Sequence, residues 1–346
     1  MREELIAQKN KVFLITDRAA REYFTGVDNA EGVLLIGKIN AYFTDARYYY
    51  ALRDKLRESE FYVAEQKGIE SICKYLRENK IKKAYADFDK ISVAEFNEYK
   101  KFGVKLFDGK KEIVDALLEK NESEISMIRT ACGISERALY ETIPYIKLGV
   151  TEKELALRLE ENVRNLCGEG MAFETIVAFG KNSAVPHHVT GDTPLKENQA
   201  VLIDFGAKYQ GFCADMTRTF FFGKPSEKFL TAYKSVLNAN QKAEKEIKCG
   251  TTASEAHSIA VHELDRYSLS KYFKHSLGHG IGHDIHESPS LSTKSDAVLK
   301  ENMVFTIEPG VYFENEFGIR IEDTVILTNS GVKRFFTDSK DLMIIK

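Results

Sequence analysis

Hydrophobic positions fall into two rhythms along this chain. Early on, the short apolar runs Val12-Phe13-Leu14-Ile15, Val33-Leu34-Leu35-Ile36 and Ala41-Tyr42-Phe43 predict strands, and they alternate with helical stretches over 46–57 and 68–79. Alternation of this kind predicts a small α/β domain. The pattern changes near 110–121, where Gly109-Lys110-Lys111 leads into a helical run over 112–119 and Asn121-Glu122-Ser123-Glu124 offers an N-cap with a Glu three residues on. Two fuller capping boxes follow, Thr151-Glu152-Lys153-Glu154 and Thr252-Ala253-Ser254-Glu255. They open helices with apolar faces at Leu155, Leu159, Val163 and Leu166, and at Ala256, Ile259 and Leu264. Two domains are expected, 1–115 and 116–346.

Within the second domain, five groups able to bind a metal stand in strand-like or glycine-rich contexts: Asp204, Asp215, His279, Glu308 and Glu322. Asp204 ends the apolar run Ala200-Val201-Leu202-Ile203, and Asp215 lies in Phe212-Cys213-Ala214-Asp215-Met216-Thr217-Arg218-Thr219 beyond a turn at Lys208-Tyr209-Gln210-Gly211. The two segments read as a hairpin. An Asp at the end of a fully apolar strand is costly to bury unless paired or bound to a cation, and two facing each other would repel. Taken singly, each could instead be an exposed turn former. Cys213, by strand alternation, shares a face with Asp215 and is expected to pack beneath the site. Glu308 and Glu322 lie in Val304-Phe305-Thr306-Ile307-Glu308-Pro309-Gly310 and Gly318-Ile319-Arg320-Ile321-Glu322-Asp323, apolar strands that each carry an inward acid. Either could be half of a buried ion pair with Arg320. Four carboxylates and one imidazole together suit two divalent ions of hard or borderline character, manganese first, with cobalt or zinc as alternatives.

The segment His275-Ser276-Leu277-Gly278-His279-Gly280-Ile281-Gly282-His283-Asp284-Ile285-His286-Glu287 spaces His279 and His283 as a zinc helix would. Gly280 stands where such a helix needs its Glu, however, and three glycines would cost a helix about 1 kcal/mol each. A loop with close backbone approach is predicted.

Taken in order, these motifs resemble the pita-bread metallopeptidases, family M24, in their Xaa-Pro aminopeptidase and prolidase branch. The resemblance rests on the sequence of ligands, Pro186-His187, the Gly-His-Gly-Ile-Gly segment, Ile307-Glu308-Pro309-Gly310 and Arg320-Ile321-Glu322-Asp323. It extends more weakly to the first 115 residues, where Tyr23-Phe24-Thr25-Gly26 and Thr44-Asp45-Ala46-Arg47-Tyr48 are similar to a creatinase-type N-terminal domain. The implied fold is α+β: a pita-bread (creatinase/aminopeptidase) domain with a curved antiparallel sheet, preceded by a smaller α/β domain. Also implied are Glu308 as general base, His187 and His286 as hydrogen-bond donors to substrate and intermediate, His275 as a lining of the proline pocket, and Tyr312 and Arg320 as supports for the metals and the bound peptide. Two ions about 3.5 to 4 Å apart would share and activate a water. The expected substrates are proline-containing peptides. An Xaa-Pro bond has no N–H and a fixed φ, so it calls for a pocket shaped to the ring.

Prolidases of this branch tend to carry an Arg shortly after the His-Glu element, and here that position is Ser290. This favours an Xaa-Pro aminopeptidase acting on longer peptides, with the Xaa-Pro dipeptidase as the alternative. A third reading, an inactive pita-bread module that binds peptides, is disfavoured by retention of all five ligands.

Composition adds boundaries to this picture. With 43% hydrophobic and 29% charged residues in 346, the chain is globular, and a net charge of −3 gives no reason to expect nucleic acid or an anionic membrane as partner. The start, Met1-Arg2-Glu3-Glu4-Leu5, lacks the apolar core of a signal peptide, and the five scattered cysteines read as reduced thiols, so a cytoplasmic enzyme is expected. The resemblance adds a homodimer.

Overall fold

A computed structural model describes residues 2–346 of the chain, which divides into two compact units, one ending at Leu118 and one running Glu119–Lys346. In the first, six strands form a mixed sheet in the order Tyr62–Glu65, Ala41–Thr44, Val33–Gly37, Val12–Ile15, Lys83–Ala86, Lys105–Asp108. The three apolar runs read from the sequence are three of its four inner strands. Alternate residues feed opposite cores: Phe13, Ile15, Leu34 and Ile36 pack on one side, Val12, Leu14 and Leu35 on the other. That two-sided burial explains why these strands are apolar throughout instead of alternating. The predicted helices are Ala46–Lys55 and Ile69–Glu78, the latter burying Ile72, Cys73 and Leu76.

The second unit centres on an antiparallel sheet. Its main path runs Glu287–Leu291, Gly278–Gly280, Val304–Ile307, Glu322–Thr328, Met216–Phe222, Gln199–Phe205, Ile176–Phe179. Helices Glu122–Thr142, Glu152–Asn165, Glu227–Glu246 and Ala253–Asp265 accompany it, and capping boxes open three of them at Asn121, Thr151 and Thr252. Each box satisfies two amide donors that the first helical turn leaves unpaired. A separate ribbon pairs Gly310–Phe313 with Phe317–Arg320.

The hairpin of Asp204 and Asp215 is more elaborate than a simple turn. Gln199–Phe205 pairs with Met216–Phe222, but the chain between them leaves this sheet to form Ala207–Tyr209 and Phe212–Cys213, which join Gly170–Met171 in a small second sheet. Gly206 permits the switch, because a Cβ there would meet the Ala214 carbonyl at 1.7 Å. Alternation is therefore interrupted between Cys213 and Asp215. Cys213 is buried in the small sheet, but its thiol faces the His283 carbonyl, so the expected shared face does not hold.

The glycine-rich His segment is irregular over most of its length, as expected, and only Gly278–Gly280, with Glu287 at the start of the next strand, departs from a loop. Its glycines have the predicted function of close approach: a Cβ on Gly278 would meet the Thr306 carbonyl at 1.9 Å, and one on Gly280 the Ser288 carbonyl at 2.1 Å. No helix among the described residues is long and apolar enough to cross a membrane.

Candidate metal centre

Sheet register assembles the acids. Asp204 lies opposite Thr217, and Thr217 lies opposite Glu322, so three neighbouring strands put these side chains in one row on one face. Asp215 stands one residue before its strand and Glu308 one residue after Val304–Ile307, whose neighbour in the sheet carries His279. His279 Nε2 is 3.5 Å from both Asp215 Oδ2 and Glu308 Oε1. Single ligand atoms from Asp215, His279 and Glu322 all lie within 4.8 Å of one another. The imidazole is oriented by its Nδ1, 3.1 Å from the Gly280 carbonyl, which leaves the Nε2 lone pair aimed at the acids.

Without a cation this arrangement is electrostatically expensive. Burial, followed by repulsion from Asp204 and Glu308, holds the Asp215 carboxyl well above its ordinary range. Glu322 is raised in the same way by burial and then by Asp215 and Asp204. Glu308 is pushed up to about 8 by burial, then by Glu322. Asp204 Oδ1 and Asp215 Oδ1 are buried with no hydrogen-bond partner among the described residues. Orphaned carboxylate oxygens inside a cluster of mutually repelling acids fit a divalent-cation site, since a metal supplies both the missing partner and the missing charge.

Around this cluster a cavity of about 880 Å³ is lined by His187, His275, His286 and Arg320 together with the five candidate ligands. Tyr312 lies behind its wall. The Arg320 guanidinium pairs with Asp204 and donates to the Tyr312 hydroxyl at 2.7 Å and to Thr217 Oγ1 at 3.0 Å. With its oxygen occupied, the Tyr312 hydroxyl donates to His275 Nε2 at 2.8 Å, while His275 Nδ1 is 2.8 Å from the Ser276 carbonyl. His275 is thereby fixed as a neutral imidazole, and burial and then Arg320 lower its pKa to about 3. Arg320 is an ion-pair partner as the sequence allowed, but of Asp204 across the sheet and not of its neighbour Glu322. The His286 ring lies 4.3 Å from that of His279.

Three threonines complete the centre, and sequence reasoning passed over them. Thr217 donates to Glu322 Oε2 at 2.6 Å, Thr306 donates to Glu308 Oε1 at 3.3 Å and accepts from the His279 amide, and Thr324 bonds both the amide and the carbonyl of Asp215. A signal was present: each lies two residues from a candidate ligand, at Asp215/Thr217, Thr306/Glu308 and Glu322/Thr324, the spacing that shares a strand face.

Comparison with known proteins finds relatives of both units. Residues 126–329 match the model of metallopeptidase family M24, and residues 1–117 match the creatinase/prolidase N-terminal domain. The chain is 36% identical over 325 residues to the Xaa-Pro dipeptidase of Pyrococcus furiosus, covering 93% of this chain and 92% of that one. Among solved structures, an Xaa-Pro dipeptidase from Bacillus anthracis superposes with a TM-score of 0.93 at 32% identity, over 97% of this chain and 95% of that one. An X-Pro aminopeptidase from Thermotoga maritima MSB8 gives a TM-score of 0.89 at 36% identity, over 99% of both.

Proposed function

The chain belongs to metallopeptidase family M24, and from that premise we propose that it is an Xaa-Pro peptidase acting first on Xaa-Pro dipeptides. The observation that carries the reading is the cluster of four acids and His279 on the floor of a cavity, beside the Arg320-Tyr312-His275 chain. Asp204, Asp215, His279, Glu308 and Glu322 would hold two divalent ions, and an oxygen-rich set with one imidazole favours manganese. The chemistry such ions supply when bound is an activated water and a polarised scissile carbonyl. Glu308 would take a proton from the attacking water and pass it to the proline nitrogen, which, like any amide nitrogen, must be protonated before it can leave. His187 and His286 donate hydrogen bonds to the oxygen that becomes negative in the tetrahedral intermediate. His275, locked in one tautomer by Tyr312, walls the ring pocket.

Dipeptide preference reverses the expectation drawn from Ser290 and is supported by the relatives named Xaa-Pro dipeptidase. A dipeptide brings a carboxylate that needs a cation. Ser290 lines the cavity without one, and Arg320 is committed to Asp204, which leaves Lys153, a cavity-lining side chain outside any ion pair among the described residues. Ser290 and the Thermotoga neighbour favour a second reading, an aminopeptidase that accepts longer peptides. Steady-state kcat/KM for Xaa-Pro against Xaa-Pro-Yaa, with manganese restored after chelation, separates the two. A dipeptide advantage of tenfold or more is expected, together with a rise in dipeptide KM in Lys153→Ala. A tenfold tripeptide advantage would put the aminopeptidase first, and no Xaa-Pro cleavage at all would remove both readings.

A further inference from the structure

Glu152 belongs to the capping box of the helix Glu152–Asn165 but takes no part in the cap itself, which Thr151 and Glu154 complete. Its side chain is fully buried, at 0% exposure, and does not itself line the cavity, although its partner His188 does. A carboxylate so placed is costly unless every oxygen is satisfied. Here both are. Oε1 accepts from the Phe179 amide and from Asn182 Nδ2, each at 2.8 Å; Oε2 accepts from His188 Nε2 at 2.9 Å and the Gly191 amide at 3.3 Å.

These four donors belong to one segment, residues 179–191, and they grip it at both ends. His187 projects from between them into the cavity. Its flanking residues are each tied down: the Pro186 carbonyl accepts from Arg320 Nη1 at 3.4 Å, and the His188 ring is held by Glu152. Ser183 anchors the same segment to the ribbon that carries Arg320, accepting from the Gly318 amide at 2.8 Å. We propose that Glu152, through His188, is a positioning residue that fixes the backbone of 186–188 and so aims the His187 imidazole into the cavity. This inference rests on the peptidase reading only for the part of its test that uses turnover.

The test is a double-mutant cycle on manganese-loaded protein with an Xaa-Pro dipeptide. Glu152→Gln keeps the volume but sets an amide donor against the Gly191 amide, so it should lower kcat about tenfold while both ions stay bound. His187→Ala should lower kcat further, and the double variant should be no slower than His187→Ala alone, because residues acting through one group are not additive. His188→Ala should reproduce the Glu152→Gln loss, and His188→Gln, which restores a donor, should recover most of it. Histidine side-chain NMR on protein loaded with diamagnetic zinc in place of paramagnetic manganese supplies a readout independent of turnover: the His187 ring signals should move in Glu152→Gln while those of His275 stay in place. Losses that multiply in the double variant, or unmoved His187 signals, overturn the proposal. If Glu152→Gln does not fold, the His188→Ala and His187→Ala cycle carries the same test. If wild-type protein cleaves no Xaa-Pro bond, the peptidase reading falls and the NMR result alone decides the positioning.

Discussion

Removing the metal should turn Glu308 from an asset into a liability, and substituting it should reveal by how much. In the metal-free chain its carboxyl rises from 4.5 to about 8 because it is buried among other acids. Between those values the unfolded chain has released the proton and the native chain retains it, so native stability falls as pH rises through this window. At about 1.4 kcal/mol per pKa unit, the charge costs the metal-free fold roughly 4 kcal/mol at pH 8 and about 1 at pH 5. Glu308→Gln keeps the shape and deletes the titration. It should therefore stabilise the metal-free protein by about 4 kcal/mol at pH 8, or roughly 10 °C in Tm for a unit of this size, and by about 1 kcal/mol at pH 5. His275 and His283, held neutral by burial with pKa values of about 3 and 4, work in the opposite sense: they lose stability as pH falls below 6.5. They are present in both proteins and cancel in the comparison. With the metal restored the sign reverses, because Gln is the poorer ligand. Thermal unfolding of metal-stripped wild type and variant at pH 5 and pH 8, with metal content checked by mass spectrometry, measures all four terms. A variant no more stable than wild type at pH 8, or a gain equal at both pH values, would refute the electrostatic account of the cluster.

Asp215→Asn and Glu322→Gln should each lose stoichiometric metal and fall below a tenth of the wild-type rate in metal-free buffer, as read by metal analysis and dipeptide hydrolysis; a faster variant would remove that residue from the ligand set. His286→Ala should lower kcat by about 10² to 10³, the loss that follows removal of one transition-state donor, with both ions retained; loss of an ion would make His286 a ligand instead. Gly278→Ala places a Cβ 1.9 Å from the Thr306 carbonyl, and since even modest overpacking costs about 1 to 3 kcal/mol, denaturant unfolding should show at least that loss. A wild-type midpoint would show that this strand can move aside.

What was legible in the chain was what is local. Val12–Ile15 and its neighbours announce themselves because burial on both faces leaves an unbroken apolar run, and the capping boxes at Asn121, Thr151 and Thr252 because cap and partner are three residues apart. The four candidate acids were legible for a related reason: an acid in an apolar strand is an anomaly within a few residues. Pairings across the chain were not. Arg320 and Asp204 are 116 residues apart, and nothing in the spacing distinguishes Asp204 from Glu322 as its partner. Nor did the switch of sheets at Gly206 show, because Phe212-Cys213-Ala214-Asp215-Met216 reads as one continuous strand when the partner strands are unknown. Glu152 was hidden by its own motif, which accounts for Thr151 and Glu154 and gives no hint that the residue between is buried.

The neighbours Glu322 and Asp323 show most directly what the centre requires. Successive residues of a strand point to opposite faces, so the two carboxylates enter different surroundings although they are adjacent in sequence. Asp323 points away from the cavity and meets cations of the chain itself: Arg218 at 2.7 Å, Lys340 at 2.9 Å and Arg334 at 3.1 Å. Those charges outweigh its burial and hold its carboxyl well below the usual range. Glu322 faces Asp215 and Asp204, with Arg320 already committed to Asp204, and its carboxyl is driven up. Both acids are nearly inaccessible, at 2% and 0% exposure, so burial alone cannot explain the difference. The chain neutralises acids where it has cations to do so, and on the Glu322 face it has too few. Arg218 also donates to the Glu322 carbonyl at 2.6 Å, so the saturated face braces the backbone of the unsaturated one. The charge deficit is therefore confined to the cavity face of the sheet, where a divalent ion can enter and substrate can reach it.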